Sequence, residues 1–266
     1  MILFDQAGAG ARTATMFGPP GSLQSFVEHF WIQRKTPTPA EPLWRIPPDA
    51  NPYLIFTASA MNSGEPRVRC MLVGPCSTFL DIPVGNRVYT CGVRLRPGVL
   101  RLLARLPACE LTNEALPVEE VFGARGLQLL DQLGEPTSWD QAPLRMAEFL
   151  RRELTQHDSF RPLPIHRIGR VDELAEEVGC ATRTLHYRMT QDIGFSPKLW
   201  LRIERLHRAV ASSIARVKPW AEIATNCGFA DQAHMVREFK ALLGESPTAW
   251  SRRSPFVPLA EAAGAE

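Results

Sequence analysis

The chain has 266 residues, 45% of them hydrophobic and 22% charged, with a formal net charge of +2 at pH 7. That length lies between one large domain and two ordinary ones, and it is ample for a buried core. No stretch approaches the roughly 18 apolar residues of a membrane helix, and Met1-Ile-Leu-Phe-Asp5-Gln lacks the basic region and apolar run of a signal peptide. Collagen-like, disordered, membrane-spanning and secreted classes are set aside, and a soluble, cytoplasmic protein is expected.

Residues 1–20, ending in Gly18-Pro-Pro-Gly21, read as an N-terminal arm. Ser25-Phe-Val-Glu-His-Phe-Trp-Ile32 then brings apolar and aromatic residues close together. From there to Pro97 the chain is rich in proline and short apolar runs, and residues 53–56, 68–73, 79–82 and 88–95 read as strands. Turn signals separate them at Pro47-Pro-Asp49, Asn62-Ser-Gly64, Gly74-Pro75 and Gly85-Asn86. Short strands at this spacing predict a barrel-like or sandwich domain. After Pro97, residues 98–105, 118–122, 127–133 and 142–154 read as helices, the last with Leu144, Met146, Phe149 and Leu150 on one side. That side has two uses: packing on the domain's own sheet, or a two-fold contact pairing two chains.

The segment 155–164 is polar, aperiodic and carries Pro162 and Pro164, so a linker is placed at 156–164. Residues 21–155 then form the front domain, residues 165–252 a helical one, and residues 253–266 a flexible tail. The fold class expected is α+β: an N-terminal β-rich barrel-like or sandwich domain with following helices, then an all-α domain.

Cys70, Cys76, Cys91, Cys109, Cys180 and Cys227 are scattered with no CxxC pair, the usage of reduced, buried thiols. A redox sensor built on Cys70, Cys76 and Cys91 is the sharper alternative. His29 is the only histidine before His157, so the front domain has no closely spaced metal-ligand set. No G-x-S-x-G, Walker-type loop or HExxH occurs. No catalytic residue, cofactor or metal is therefore expected, and an enzyme with an accessory helical domain would need a constellation in residues 20–160 that the sequence does not display. Trp31, Trp44 and Tyr53 are candidates to line an effector pocket, with ordinary core packing as the competing use.

Charge is uneven. From Arg161 to Ser254 there are 15 Lys and Arg against 10 Asp and Glu, while the remainder of the chain is net negative. That last third also repeats itself. Leu174-Ala175-x-x-Val178-Gly179 recurs 49 residues on as Ile223-Ala224-x-x-Cys227-Gly228. Leu185, Met189, Gly194, Ser196, Pro197 and Trp200 recur 50 residues on as Met235, Phe239, Gly244, Ser246, Pro247 and Trp250. Each copy reads as a short helix, a left-handed glycine turn, a second helix burying apolar residues at i and i+4, and a Ser-Pro start to a third. Helix, turn and helix at this scale is the helix-turn-helix unit, and a purely structural αα-hairpin has the same skeleton.

The outward faces separate the two. Arg183, His186, Tyr187 and Thr190 form one stripe on the second helix of the first copy, with no carboxylate among them. The second copy offers Gln232, His234, Arg237 and Lys240, with Glu238 beside them. Arg and Gln make bidentate contacts to guanine and adenine edges. Arg183, His186, Tyr187, Gln232, His234 and Arg237 are thus candidates for base contacts. Thr182, Thr190, Arg202, Arg205, Arg216, Lys218 and Lys240 are candidates for phosphate contacts.

Residues 171–252 resemble the C-terminal DNA-binding domain of AraC/XylS-type transcriptional regulators. The resemblance rests on Leu174-Ala175, Gly179, Arg183, Leu185, Gly194 and Ser196-Pro197, and on Ile223-Ala224, Gly228-Phe229, Asp231-Gln232, Arg237, Phe239-Lys240, Gly244 and Ser246-Pro247. It implies two helix-turn-helix units joined by a long helix, here residues 197–214, with the recognition helices about one DNA turn, ~34 Å, apart. Ala181 stands where the family usually has a capping serine, which leaves the cap to Thr182. The front of the chain is similar to a domain of some AraC-type regulators through Phe26-Val-Glu-His-Phe-Trp31, Pro48-Asp49, Val73-Gly-Pro75 and Gly92-Val-Arg-Leu-Arg-Pro97. The partners implied are double-stranded DNA, a small-molecule effector, a second copy in a homodimer, and RNA polymerase if the chain activates; a membrane is not among them.

Overall fold

The extended runs of the front half pair into a sheet because each sets apolar side chains at every second position, and period two puts them all on one face. A computed structural model describes residues 14–34, 43–59, 67–83, 87–134, 136–157, 160, 161, 163, 169–214 and 219–252. The strands are β1 (Ala14–Phe17), β2 (Val27–Arg34), β3 (Leu43–Ile46), β4 (Tyr53–Ser59), β5 (Arg67–Val73), β6 (Leu80–Pro83), β7 (Arg87–Leu95) and β8 (Ala115–Pro117). All pairings are antiparallel. Six strands form one sheet in the order β1-β2-β7-β4-β5-β8, and β3 pairs with β6 in a second, two-stranded sheet.

The four helices of this half are α1 (Val99–Ala104), α2 (Val118–Phe122), α3 (Ala124–Gly134) and α4 (Ala142–Leu154). They cover one face of the large sheet. Phe30 of β2, Leu54 and Phe56 of β4, Cys70 and Leu72 of β5, and Cys91 and Val93 of β7 meet Leu100, Val118, Phe122, Leu129, Met146, Phe149 and Leu150 in a single core. Helix α4 therefore spends its apolar side on its own sheet. Leu144 is the exception to the stripe read from the sequence: it is 70% exposed.

Ala14–Phe17, expected within a loose arm, is instead an edge strand paired with β2 from Ala14↔Gln33 to Phe17↔Phe30. Four residues carry too little alternation to announce a strand whose partner supplies its stability. β3 and the three-residue β8 escaped the sequence reading for the same reason.

The helical half comprises α5 (Val171–Val178), α6 (Thr182–Asp192), α7 (Pro197–Ile214), α8 (Trp220–Asn226), α9 (Gln232–Leu243) and α10 (Pro247–Arg252). The repeat is realised element by element. Gly179, Gly194, Gly228 and Gly244 all have positive φ, +69°, +90°, +79° and +74°, which L side chains adopt only at a cost. Pro197 and Pro247 each occupy a first helical position, where a missing N–H costs nothing. Each unit closes its own core: Leu174, Leu185, Met189, Phe195 and Trp200 in the first, Ile223, Met235, Phe239, Leu243 and Trp250 in the second. Among the described residues no helix is long and apolar enough to cross a membrane.

The two halves meet. Ala50, in the loop before β4, is buried within the core of the first unit. His207 Nε2 on α7 lies 2.6 Å from the Pro48 carbonyl oxygen.

Candidate nucleic-acid interface

Helix α6 turns Leu185 and Met189 inward and leaves Thr182, Arg183, Thr184, His186, Tyr187 and Arg188 exposed, with Tyr187 at 66%. A tyrosine so open, next to two arginines and a histidine, is a stacking and hydrogen-bonding group held toward solvent. Arg188, which the sequence reading passed over, joins this surface; its place follows from the 100° step of the helix, but it lies off the i, i+3, i+4 stripe. Thr190 is only half-exposed. The helix starts at Thr182 with Ala181 as its N-cap, and no side chain accepts from its first turn, so Thr182 does not replace the missing serine cap.

Helix α9 starts more firmly. Asp231 caps it, Oδ1 accepting from the His234 N–H at 2.6 Å. The Ala230 N–H donates to His234 Nδ1 at 3.2 Å, and the His234 ring stands edge-on to Phe229 with centroids 5.6 Å apart. Nδ1 thus acts as the acceptor, which assigns the proton of the neutral ring to Nε2 and makes that nitrogen a donor. Gln232, Arg237 and Lys240 are exposed along the same helix, whereas Met235, Phe239, Leu242 and Leu243 are buried.

Glu238, the one carboxylate beside this stripe, is turned inward. Its Oε2 accepts from Arg202 Nε of α7 at 2.8 Å, and the carboxylate is largely covered. Arg202 accordingly braces α9 against α7. Arg205 is also engaged, with Nε on the Leu201 carbonyl at 3.3 Å and Nη1 on the Gly228 carbonyl at 3.4 Å. Both of these candidates for phosphate contact are thus held by bonds within the domain. Arg216 and Lys218 lie outside the described residues.

Among the described residues the front domain presents no such basic stripe. Its buried polar groups gather on the sheet face opposite α1–α4, where His29, Gln33, Thr90, Arg94 and Asp49 are all nine-tenths or more buried. Arg94 holds Asp49 in a fork, Nη2 to Oδ1 at 2.9 Å and Nε to Oδ2 at 3.2 Å, and meets Glu28 Oε2 through Nη1 at 3.0 Å. Asn51 accepts from Arg94 at 2.9 Å, and the Tyr53 hydroxyl donates to Asp49 Oδ2. Burial pushes the Asp49 carboxyl up, but Arg94 and then His207 outweigh it and hold the group below the usual carboxylate range. Of the three effector-pocket candidates, Trp31 packs against Gly92, where an added Cβ would come within 2.2 Å of its ring, and Tyr53 serves Asp49. Trp44 sits on β3, and its side chain is outside the described residues.

The three cysteines weighed as redox sensors are poor nucleophiles here. Burial raises Cys70 far above the ordinary thiol, Cys91 to about 12 and Cys76 to about 11. The thiolate is the reactive form, so these groups hold little of it at neutral pH. Brief alkylation of the native protein near neutral pH is expected to modify the half-buried Cys109 and Cys180 first and leave Cys70 and Cys91 untouched. Peptide mass spectrometry reads the result, and early labelling of Cys70 or Cys91 would reopen the redox reading.

Comparison with known sequence families follows the same division. Residues 174–253 match a family described as a helix-turn-helix domain, and residues 15–117 match one described as a domain of unknown function (DUF6597). The C-terminal domain is an AraC-type helix-turn-helix domain. No curated protein matches the chain. Among solved structures, the DNA-binding domain of AdpA in complex with a target DNA is 28% identical over 33% of this chain and 78% of that one, with a TM-score of 0.31. An apo point variant of ToxT from Vibrio cholerae is 11% identical over 84% of this chain and 96% of that one, with a TM-score of 0.42. Wild-type ToxT bound to an unsaturated fatty acid is likewise 11% identical, over 84% and 94%, with a TM-score of 0.40. The AraC-type domain makes the chain a DNA-binding transcription regulator.

Proposed function

We propose that the chain reads double-stranded DNA at two successive major-groove segments through α6 and α9 and controls transcription in response to a small-molecule effector. The observation that carries this reading is the pair of outward faces. Arg183, His186 and Tyr187 on α6, and Gln232, His234 and Arg237 on α9, offer donors with no competing carboxylate, because Glu238 is tied to Arg202. Thr182, Thr190 and Lys240 flank those faces, where they serve phosphates rather than bases. An 18-residue α7 spans about 27 Å at 1.5 Å per residue, which suits two recognition helices one DNA turn apart.

The front domain is assigned to sensing and pairing. Gln33 is 1% exposed, yet among the described residues neither its Oε1 nor its Nε2 has a hydrogen-bond partner, and His29 Nε2 is in the same position. A buried polar group without a partner costs about 1–3 kcal/mol, so these atoms suit a small polar effector better than they suit a closed core. Leu127 and Leu144, 57% and 70% exposed, leave α3 and α4 as the face for a homodimer. RNA polymerase enters as a partner if the bound chain activates. The domain division proposed is 21–155 for sensing and 165–252 for DNA, joined through 156–164.

The test is recovery of genomic fragments by the purified chain, followed by titration of one recovered duplex against salt. Each neutralised phosphate contributes about −0.9 to the slope of log affinity on log salt, so a steep fall is expected. Recovery of no enriched duplex, or an affinity indifferent to salt, overturns the reading.

A further inference from the structure

Both recognition helices end against the front domain. The last turn of α6 and the glycine turn after it lie under α1 and under the short 3-10 turn at Ala108–Leu111. Arg101 Nη1 of α1 meets Asp192 Oδ1, on the final residue of α6, at 2.5 Å. Gln191 Nε2 donates to Cys109 Sγ at 3.8 Å. Thr112 Oγ1 lies 3.2 Å from the Gly194 carbonyl oxygen and 3.2 Å from that of Ala108, so its one proton is shared between the glycine turn and the front domain's own backbone. Gly194 fits nothing larger: with φ at +90°, an added Cβ would stand 2.6 Å from Thr112 Oγ1 and 3.2 Å from Pro75 Cγ. At the second unit, the Phe79 N–H donates to the Leu242 carbonyl, in the last turn of α9, at 2.9 Å.

The chemistry of a helix end explains why these contacts matter. The final four carbonyls of a helix have no partner within it, and the end carries partial negative charge. A guanidinium at the end of α6 and a backbone N–H at the end of α9 are the groups such ends accept. Meanwhile the exposed Arg183, His186 and Tyr187 lie toward the N-terminal half of α6, away from the grip.

We infer that the front domain sets the relative pose of the two recognition helices by holding the C-terminal end of each, with Arg101 and Thr112 as positioning residues for α6. This rests on the DNA-reading assignment above and goes further, because it makes the first unit's half-site depend on residues that never touch DNA. The second unit meets the front domain through the Phe79–Leu242 backbone bond and is closed by its own core, so it depends on the front domain less. A change in the front domain is then transmitted chiefly to α6.

The test uses the full chain. Arg101→Glu and Asp192→Arg each break the pair, and the double reversal remakes it with opposite polarity. On a duplex recovered by the wild-type chain, each single variant is expected to weaken protection of the α6 half-site roughly fivefold, the scale of one partly exposed ion pair, while the α9 half-site holds. The double reversal should return it to within about twofold. Hydrogen exchange without DNA supplies the second readout: amides in the last turn of α6 exchange faster in each single variant and recover in the double. Unchanged exchange and unchanged half-site protection in the singles, or a loss that the double does not restore, overturns the inference. A wild-type chain that recovers no duplex would instead sink the DNA-reading assignment, and the exchange experiment would still decide the grip.

Discussion

Arg237→Ala is expected to weaken binding to the cognate duplex by about 10-fold to 100-fold, with the fold and the weak affinity for random-sequence duplex kept. A bidentate contact from arginine to a base edge is worth about 1–3 kcal/mol of discrimination, and Arg237 is placed to make one. It is exposed on α9 beside Gln232, while the buried side of the helix is filled by Met235, Phe239, Leu242 and Leu243. Its neighbour Glu238, which would otherwise neutralise it, is committed to Arg202. Removing the guanidinium therefore takes away recognition without opening the core, so the melting temperature should stay put. Gel-shift titrations against the cognate and a scrambled duplex separate the two affinities. An equal loss on both would reassign Arg237 to phosphate contact, and no loss on either would remove it from the interface.

Arg94→Ala is expected to destabilise the front domain by about 3–5 kcal/mol, the usual result of leaving a buried charge without its partner. Arg94 is buried, forks onto the equally buried Asp49 and reaches Glu28. Taking it away strands two carboxylates, one of them fully enclosed. Replacing both partners, as Arg94→Met with Asp49→Asn, should cost much less than the single change, since the uncompensated charge goes with the pair. Denaturant unfolding of the three variants checks this. A single variant as stable as the wild type, or a double variant no better than the single, would show that the pair does not act as a unit.

The same region sets an acid limb of stability. Burial, then the nearby Arg94 charge, lowers His29 from 6.5 to about 4. Between those values the unfolded chain takes up a proton that the folded chain refuses, so stability falls as pH drops through that window. Asp49 acts in the same direction at lower pH: its folded-state carboxyl is held below the ordinary value, and what it contributes is lost as pH falls through that depressed value.

The legible part of this protein was local. Helix periodicity, the left-handed glycines and the Ser-Pro starts of the two units are decided by residues within a few positions of one another, and the repeat shows each signal twice. The strands at residues 53–56, 68–73 and 88–95 were legible because alternation is a property of the strand alone. So was the outward stripe on α9, since the core positions Met235 and Phe239 dictate which residues face away.

Only the tertiary structure decided which charges are free. Arg202 and Glu238 are 36 positions apart, Arg94 and Asp49 are 45 apart, and Arg101 and Asp192 are 91 apart. An arginine's sequence neighbourhood is the same whether its guanidinium faces solvent or a distant carboxylate, so no local pattern tells a phosphate contact from a brace. The seating of Ala50 in the core of the first unit was hidden for the same reason. An alanine in a loop has no periodicity to betray it, and the cavity it fills exists only once the two domains have docked.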